Sequence, residues 1–115
     1  MVTNLRDSSR VIEIVKGMHE NNKLVAAICA GPIVLARAGV IEGKKVTSYP
    51  GFEDQLSGGI YQQQNVVRDR NIITARGPAL AVDLAIEIVK YLLGREKADE
   101  LKENIELKEN ILYKG

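Results

Sequence analysis

Cys29 lies in Ala27-Ile28-Cys29-Ala30-Gly31-Pro32, between a short apolar run and a glycine-proline pair. Proline suits the first turn of a helix, because no N–H is needed from it there. An apolar run meeting such a helix start predicts a sharp strand-to-helix turn, with the central side chain standing above the sheet edge. There the helix N-terminus favours a thiolate, whose formation otherwise needs a pH near about 8.5. The Ala30 N–H points into the same space and stabilises an oxyanion formed by attack on a carbonyl. Small neighbours, Ala30 and Gly31, let a substrate approach. The competing reading is a small core hydrophobe, a common state for a lone free cysteine. Position alone leaves both readings open.

Other residues carry weaker signals. Arg76-Gly77-Pro78 falls at a strand end, where α/β sheets gather ligands. Arg76 there either binds a substrate anion or pairs with a carboxylate, and Gly31 and Gly77 are candidates for close substrate approach. Glu53 and Asp54 read as a solvated helix start, since acidic residues complement the macrodipole. His19, the one histidine, falls late in a helix, on or beside its polar face, where a helix end favours imidazolium. Gly58-Gly59 lacks a phosphate-loop pattern and serves backbone turning. One His and one Cys exclude a zinc site built from those ligand types. Nothing in the sequence calls for a metal or a cofactor.

The elements that must position Cys29 follow from periodicity. Ser8 and Ser9 are N-cap residues for a helix to about Asn21, with Val11, Ile14, Val15 and Met18 at helical spacing. Asn21-Asn22 turns the chain into Leu24-Val25-Ala26-Ala27-Ile28, a continuous apolar run typical of a strand covered on both faces. A helix from Gly31-Pro32 to Ala38 ends on Gly39 in a left-handed conformation. Lys45 to Ser48 is a second strand, and Phe52 to Leu56 forms one or two helical turns. Asn65 to Arg68 and Asn71 to Ala75 flank Asp69-Arg70 as a hairpin. Gly77-Pro78 opens a helix with one apolar stripe, Leu80, Ala81, Leu84, Ala85, Ile88 and Leu92, ended by Gly94.

This order of elements implies an α/β fold with a mostly parallel sheet. From about residue 95 the chain becomes a charged tail, in which Leu101 to Ile105 and Leu107 to Ile111 repeat one five-residue word. That tail reads as a solvated helix handing over to a terminal strand, Ile111-Leu112-Tyr113. The few strands available leave the apolar run at residues 24–28 as an exposed edge, which soluble proteins avoid. A partner or missing strands are therefore expected.

Composition bounds the rest. The chain has 115 residues, 45% hydrophobic and 27% charged, which fits one soluble globular domain spanning 1–115. With 16 Lys and Arg against 15 Asp and Glu, the net charge is +1, and no electrostatic case exists for nucleic acid or an anionic membrane. The apolar stretch from Leu24 to Ile41 is interrupted by Gly31-Pro32, Arg37 and Gly39, so it reads as strand and helix rather than a membrane span. A lone Cys excludes an intrachain disulfide and fits a reducing, cytoplasmic compartment.

Ala26 to Pro32, Lys45-Val46-Thr47, Tyr49-Pro50, Gly58-Gly59, Arg76-Gly77-Pro78 and Gly94 to Ala98 together resemble the ThiJ/PfpI superfamily. The resemblance is closest to the branch containing YajL and the parkinsonism-associated protein. It implies a flavodoxin-like sandwich, a homodimer, Cys29 as nucleophile and Ala30 as the oxyanion amide. The activities it implies are glyoxalase or deglycase chemistry on methylglyoxal or its adducts, redox-sensing or chaperone roles, and peptidase activity in one branch. In that peptidase branch a His follows the Cys directly, whereas here Ala30 does. Tyr49 stands where many relatives carry a His, as a hydrogen-bond donor but a poor base, since an ordinary phenol ionises near about 10. By the same resemblance the chain corresponds to the C-terminal portion of the family domain. The first strands, a Glu facing the Cys and a Gly amide lie before the point matching Met1. A complementing N-terminal chain is thus an expected partner beside a homo-oligomer, with an aldehyde or glycated small molecule as substrate.

Overall fold

A computed structural model describes residues 2–114, with side chains described for residues 3–107. The chain forms two compact units, Met1–Leu84 and Ala85–Gly115. In the first, α1 (Val2–Arg6) precedes α2 (Ser9–Glu20), and β1 (Val25–Ile28) leads through Cys29 to α3 (Pro32–Arg37). Then come β2 (Lys45–Val46), a 3-10 turn (Glu53–Gln55), β3 (Ile60–Tyr61), β4 (Val66–Asp69) and β5 (Ile72–Ala75). A second 3-10 turn, Pro78–Leu80, opens α4 (Ala81–Leu93).

The expected mixed α/β architecture is present. β1 and β5 run parallel, with Val25 opposite Ile72 and Ile28 opposite Ala75. β4 closes onto β5 as an antiparallel hairpin, giving the order β1-β5-β4. β2 and β3 form a separate parallel pair. Among the described residues β1 pairs only with β5, so it stands at the sheet edge as its composition warned. Ile33, Val34 and Leu35 from α3 and Ala38 at its C-cap meet Val25 and Ile72 from the sheet, and Val40, Ile41, Val46 and Leu56 complete the core. Each large aliphatic buried there contributes about 1.5–3 kcal/mol.

Local chemistry sets the boundaries. The Ser8 side chain accepts from the Val11 N–H at 3.3 Å, as an N-cap does, and Asn21 closes α2 through two bonds to the Gly17 carbonyl. Gly39 ends the α3 region at φ +75°, and Gly94 follows α4 at φ +94°. Before α5, four details differ from the sequence reading. The polar start of the chain includes a short helix, Val2–Arg6. The second strand stops at Val46, because the Thr47 N–H turns to the Thr74 Oγ1 at 2.9 Å instead of a ladder carbonyl. The hairpin turn is Arg70-Asn71, one residue later than expected. Asp69 stays paired to Ile72 while its carboxylate accepts the Lys45 N–H at 2.8 Å, and Arg70 takes φ +56°. Finally, the α4 stripe contains no fully buried residue, and Leu92 is 61% exposed.

In the second unit, α4 is followed by α5 (Arg95–Lys114). Ile111-Leu112-Tyr113 is helical, not a strand, because the Glu, Lys and Leu around it propagate the helix once begun. Ala98 is buried and Leu101 and Ile105 half-buried, so the helix has one apolar stripe within its charged surface. The repeated five-residue words ride on this one helix. No helix among the described residues is long and apolar enough to cross a membrane.

Candidate functional site around Cys29

Cys29 sits directly past the last residue of β1, with φ +63°. The left-handed region costs an L-residue with a Cβ about 1–2 kcal/mol, so the surroundings must hold it. They do so from both sides. The Cys29 N–H donates to the Ala75 carbonyl at 3.0 Å, and its carbonyl accepts from the Tyr49 N–H at 2.8 Å. The Gly31 N–H reaches back to the Ile28 carbonyl at 2.9 Å, which tightens the bend. None of the turn's backbone bonds uses the Ala30 N–H. Cys29 carries a free thiol, and the residue as a whole is half-buried.

Gly31 is required by space rather than by φ. A Cβ there would lie 2.9 Å from the Ile28 carbonyl oxygen and 3.3 Å from the Ala27 Cβ. Its bareness therefore serves the bend itself. Gly77 differs: a Cβ there would meet the Tyr49 ring at 3.8 Å. Tyr49 is 47% exposed, edge-on to Phe52 with ring centroids 6.5 Å apart. Cys29, Tyr49, Arg76 and Gly77 thus gather at one end of the sheet, the carboxyl end of the parallel pair.

Arg76 donates its N–H to the Asn65 carbonyl at 3.0 Å, while its Nε is buried without a hydrogen-bond partner. Backbone N–H groups of Glu53 itself and Gly51 hold the Glu53 carboxyl below its usual range, and the Arg76 charge adds a smaller effect in the same direction. The Gly51 N–H donates to Glu53 Oε2 at 2.9 Å, so Glu53 serves its own 3-10 turn, as a solvated helix start should. The Tyr61 hydroxyl, which is buried and makes no well-formed hydrogen bond, also favours the ionised Glu53. Sequence reasoning missed Tyr61, and it missed Ala75 as the carbonyl that fixes Cys29. The signal for Ala75 was available: in a parallel pair, the last residue of one strand reaches the turn after the other.

His19 is not a surface histidine of the expected kind. It is half-buried, and its ring lies between Lys44 and Asn71 at the opposite end of the parallel pair from Cys29. Desolvation first and the Lys44 charge second hold it below its ordinary 6.5, against a smaller opposite effect of Glu20. It is no acid–base partner for Cys29. A cavity of about 490 Å³ lined by Arg6, Asp7, Arg37, Gln55 and Ser57 also lies away from the thiol, which is not part of its wall. Among the described residues no cluster of His, Cys, Asp or Glu is arranged to hold a metal.

Residues 1–91 match the model of the DJ-1/PfpI family. The chain is 40% identical over 101 residues to Protein dj-1beta of Drosophila melanogaster, covering 86% of this chain and 54% of that protein. It is 38% identical over 109 residues to the Parkinson disease protein 7 homolog of Danio rerio, covering 92% and 58%. The crystal structure of Drosophila melanogaster DJ-1beta superposes with a TM-score of 0.84 at 39% identity, over 90% of this chain and 57% of that one. Oxidized DJ-1 of Toxoplasma gondii gives 0.83 at 30% identity over the same shares. The chain spans a little over half the length of these relatives.

Proposed function

The chain belongs to the DJ-1/PfpI family, and on that premise we propose that it is a Cys29-dependent enzyme acting on methylglyoxal or its adducts. One observation carries the reading: a half-buried cysteine held at φ +63° on a strand-to-helix bend, directly before Ala30, whose N–H no backbone bond of the bend uses. A strained residue is kept at such a place only where the surroundings over-determine it, and such places cluster at active sites.

In this reading the Cys29 Sγ, as thiolate, bonds to the aldehyde carbon of methylglyoxal. The carbonyl π pair moves to oxygen, and the Ala30 N–H stabilises the resulting oxyanion. Water takes the former aldehyde hydrogen as a proton, and the electron pair it leaves forms an enediolate with the neighbouring ketone. Water then returns a proton to that second carbon, so that the first carbon becomes the thioester carbonyl on Cys29 and the second an alcohol. Water hydrolyses the thioester, releasing the hydroxy acid and restoring the thiolate. Tyr49 and Arg76 supply hydrogen bonds to the substrate oxygens, and Gly77 leaves room for it, while Gly31 acts by permitting the bend. The chain acts as one DJ-1-like domain in the cytoplasm, as a homo-oligomer or with a chain that covers the β1 edge.

Lactate production from methylglyoxal tests this reading, with Cys29→Ser as control. Turnover by the wild type and at least a hundredfold loss in the variant are expected; equal rates overturn it. A second reading, a redox-responsive thiol without turnover, is favoured by the position of His19, which leaves no imidazole beside Cys29. Mild peroxide separates the two. Sulfinic acid at Cys29 without turnover supports the sensor.

A further inference from the structure

The surroundings of His19 contain more hydrogen-bond donors than its ring can use. Lys44 Nζ stands 3.2 Å from His19 Nε2, anchored by a 2.9 Å bond to the Val40 carbonyl. Asn71 Nδ2 stands 3.2 Å from His19 Nδ1, anchored by a 2.9 Å bond to the Lys23 carbonyl. That second bond fixes the amide orientation, since the flipped amide would set its oxygen against the Lys23 carbonyl. A neutral imidazole has one N–H and one acceptor nitrogen, so in either tautomer it satisfies one of these two donors. An imidazolium satisfies neither.

The geometry points to a proton-controlled latch made of His19, Lys44 and Asn71. It is closed while the ring is neutral and released when the ring gains a proton. Through the one donor its acceptor nitrogen takes, the neutral ring ties the end of α2 either to Lys44, in the segment before β2, or to Asn71, at the turn into β5. Asn71 is 8% exposed, and its carbonyl accepts the Val25 N–H at 2.8 Å, the first bond of the β1–β5 pair. In the tautomer that accepts from Asn71, opening the latch therefore loosens the start of the same parallel pair that holds Cys29 at its other end. The charged groups acting on the ring are Lys44, which opposes protonation, and Glu20 on its own helix, which favours it less strongly. Burial opposes protonation as well. The sign follows: the folded ring binds its proton at lower pH than the unfolded one, so the latch is intact above the ordinary 6.5 and lost as the pH falls below it.

His19 is the only histidine, so its ring resonances in an NMR titration of the full chain are unambiguous. The expected midpoint lies below 6.5, and the Val25 and Asn71 amide signals shift with the same midpoint. Lys44→Met is expected to move the midpoint up toward 6.5, and His19→Gln to abolish the amide shifts between pH 5 and 7.5. Between the folded and unfolded midpoints, unfolding should become up to about tenfold more favourable per pH unit in the wild type only. A midpoint at or above 6.5, or one unmoved by Lys44→Met, overturns the latch. Persistence of the amide shifts in His19→Gln overturns it too.

Discussion

The N–H of Cys29 donates to the carbonyl of Ala75, so the parallel ladder of β1 and β5 continues one residue beyond the strand. That bond, with the Tyr49 N–H held by the carbonyl on the other side of the same residue, keeps a non-glycine residue at φ +63°. The bend is a product of the sheet register as much as of its own sequence.

The strain at residue 29 is measurable. Cys29→Gly and Cys29→Ala both lack sulfur, but only alanine must place a Cβ in the left-handed region. Urea unfolding is expected to find the glycine variant more stable than the alanine variant by about 1 kcal/mol. Equal stabilities, or a more stable alanine variant, contradict the strained bend.

Gly31 has no such conformational role, only a spatial one. Gly31→Ala puts a methyl group 2.9 Å from a backbone oxygen that cannot swing away. A loss of about 1–3 kcal/mol is expected, along with reduced turnover at Cys29, because the bend must widen. Gly39→Ala provides the contrast: nothing lies within 4 Å of its added Cβ, and only the φ of +75° is penalised. It should lower stability by about 1 kcal/mol and leave turnover unchanged.

Thr74 is fully buried and accepts the N–H of fully buried Thr47. Thr74→Val keeps the shape but strands that N–H, at a cost of about 1–3 kcal/mol. Thr74→Ser keeps the acceptor and should recover part of the loss. Thermal or urea unfolding of the pair distinguishes the lost hydrogen bond from lost packing.

Glu53 gives a pH dependence of opposite origin to that of His19. Its folded carboxyl ionises below the ordinary 4.5, chiefly because backbone N–H groups of Glu53 and Gly51 bond to the anion. The stabilisation it brings is complete above 4.5 and disappears as the pH falls through the folded value. A carboxyl NMR titration should find the Glu53 midpoint below 4.5, and Glu53→Gln should flatten the acid limb of the stability curve.

Much of this was legible in the chain. The Ser8 cap, the apolar run of β1, the Gly31-Pro32 helix start and the Gly39 stop are local signals, written within a few residues of where they act. The motifs around Cys29 and Arg76 likewise indicated the family. The illegible parts depend on contacts distant in sequence. Val46 ends its strand because Thr74, far along the chain, offers a side-chain oxygen. The hairpin turn moved one residue because Asp69 had a partner in Lys45. His19 on a helix's polar side gave no sign that Lys44 and Asn71 would enclose it. Ile111 to Tyr113 suggested a strand because propensity was read over three residues, while helix cooperativity runs over many more.

In the proposed function the Cys29 sulfur is the reacting atom and is reachable in the folded chain. Since it is the only thiol, iodoacetamide labels it uniquely, and intact mass gives the labelled fraction directly. Methylglyoxal turnover should fall in proportion to that fraction and vanish when labelling is complete. Turnover that persists in fully labelled protein, or a folded chain that refuses the label, contradicts the account.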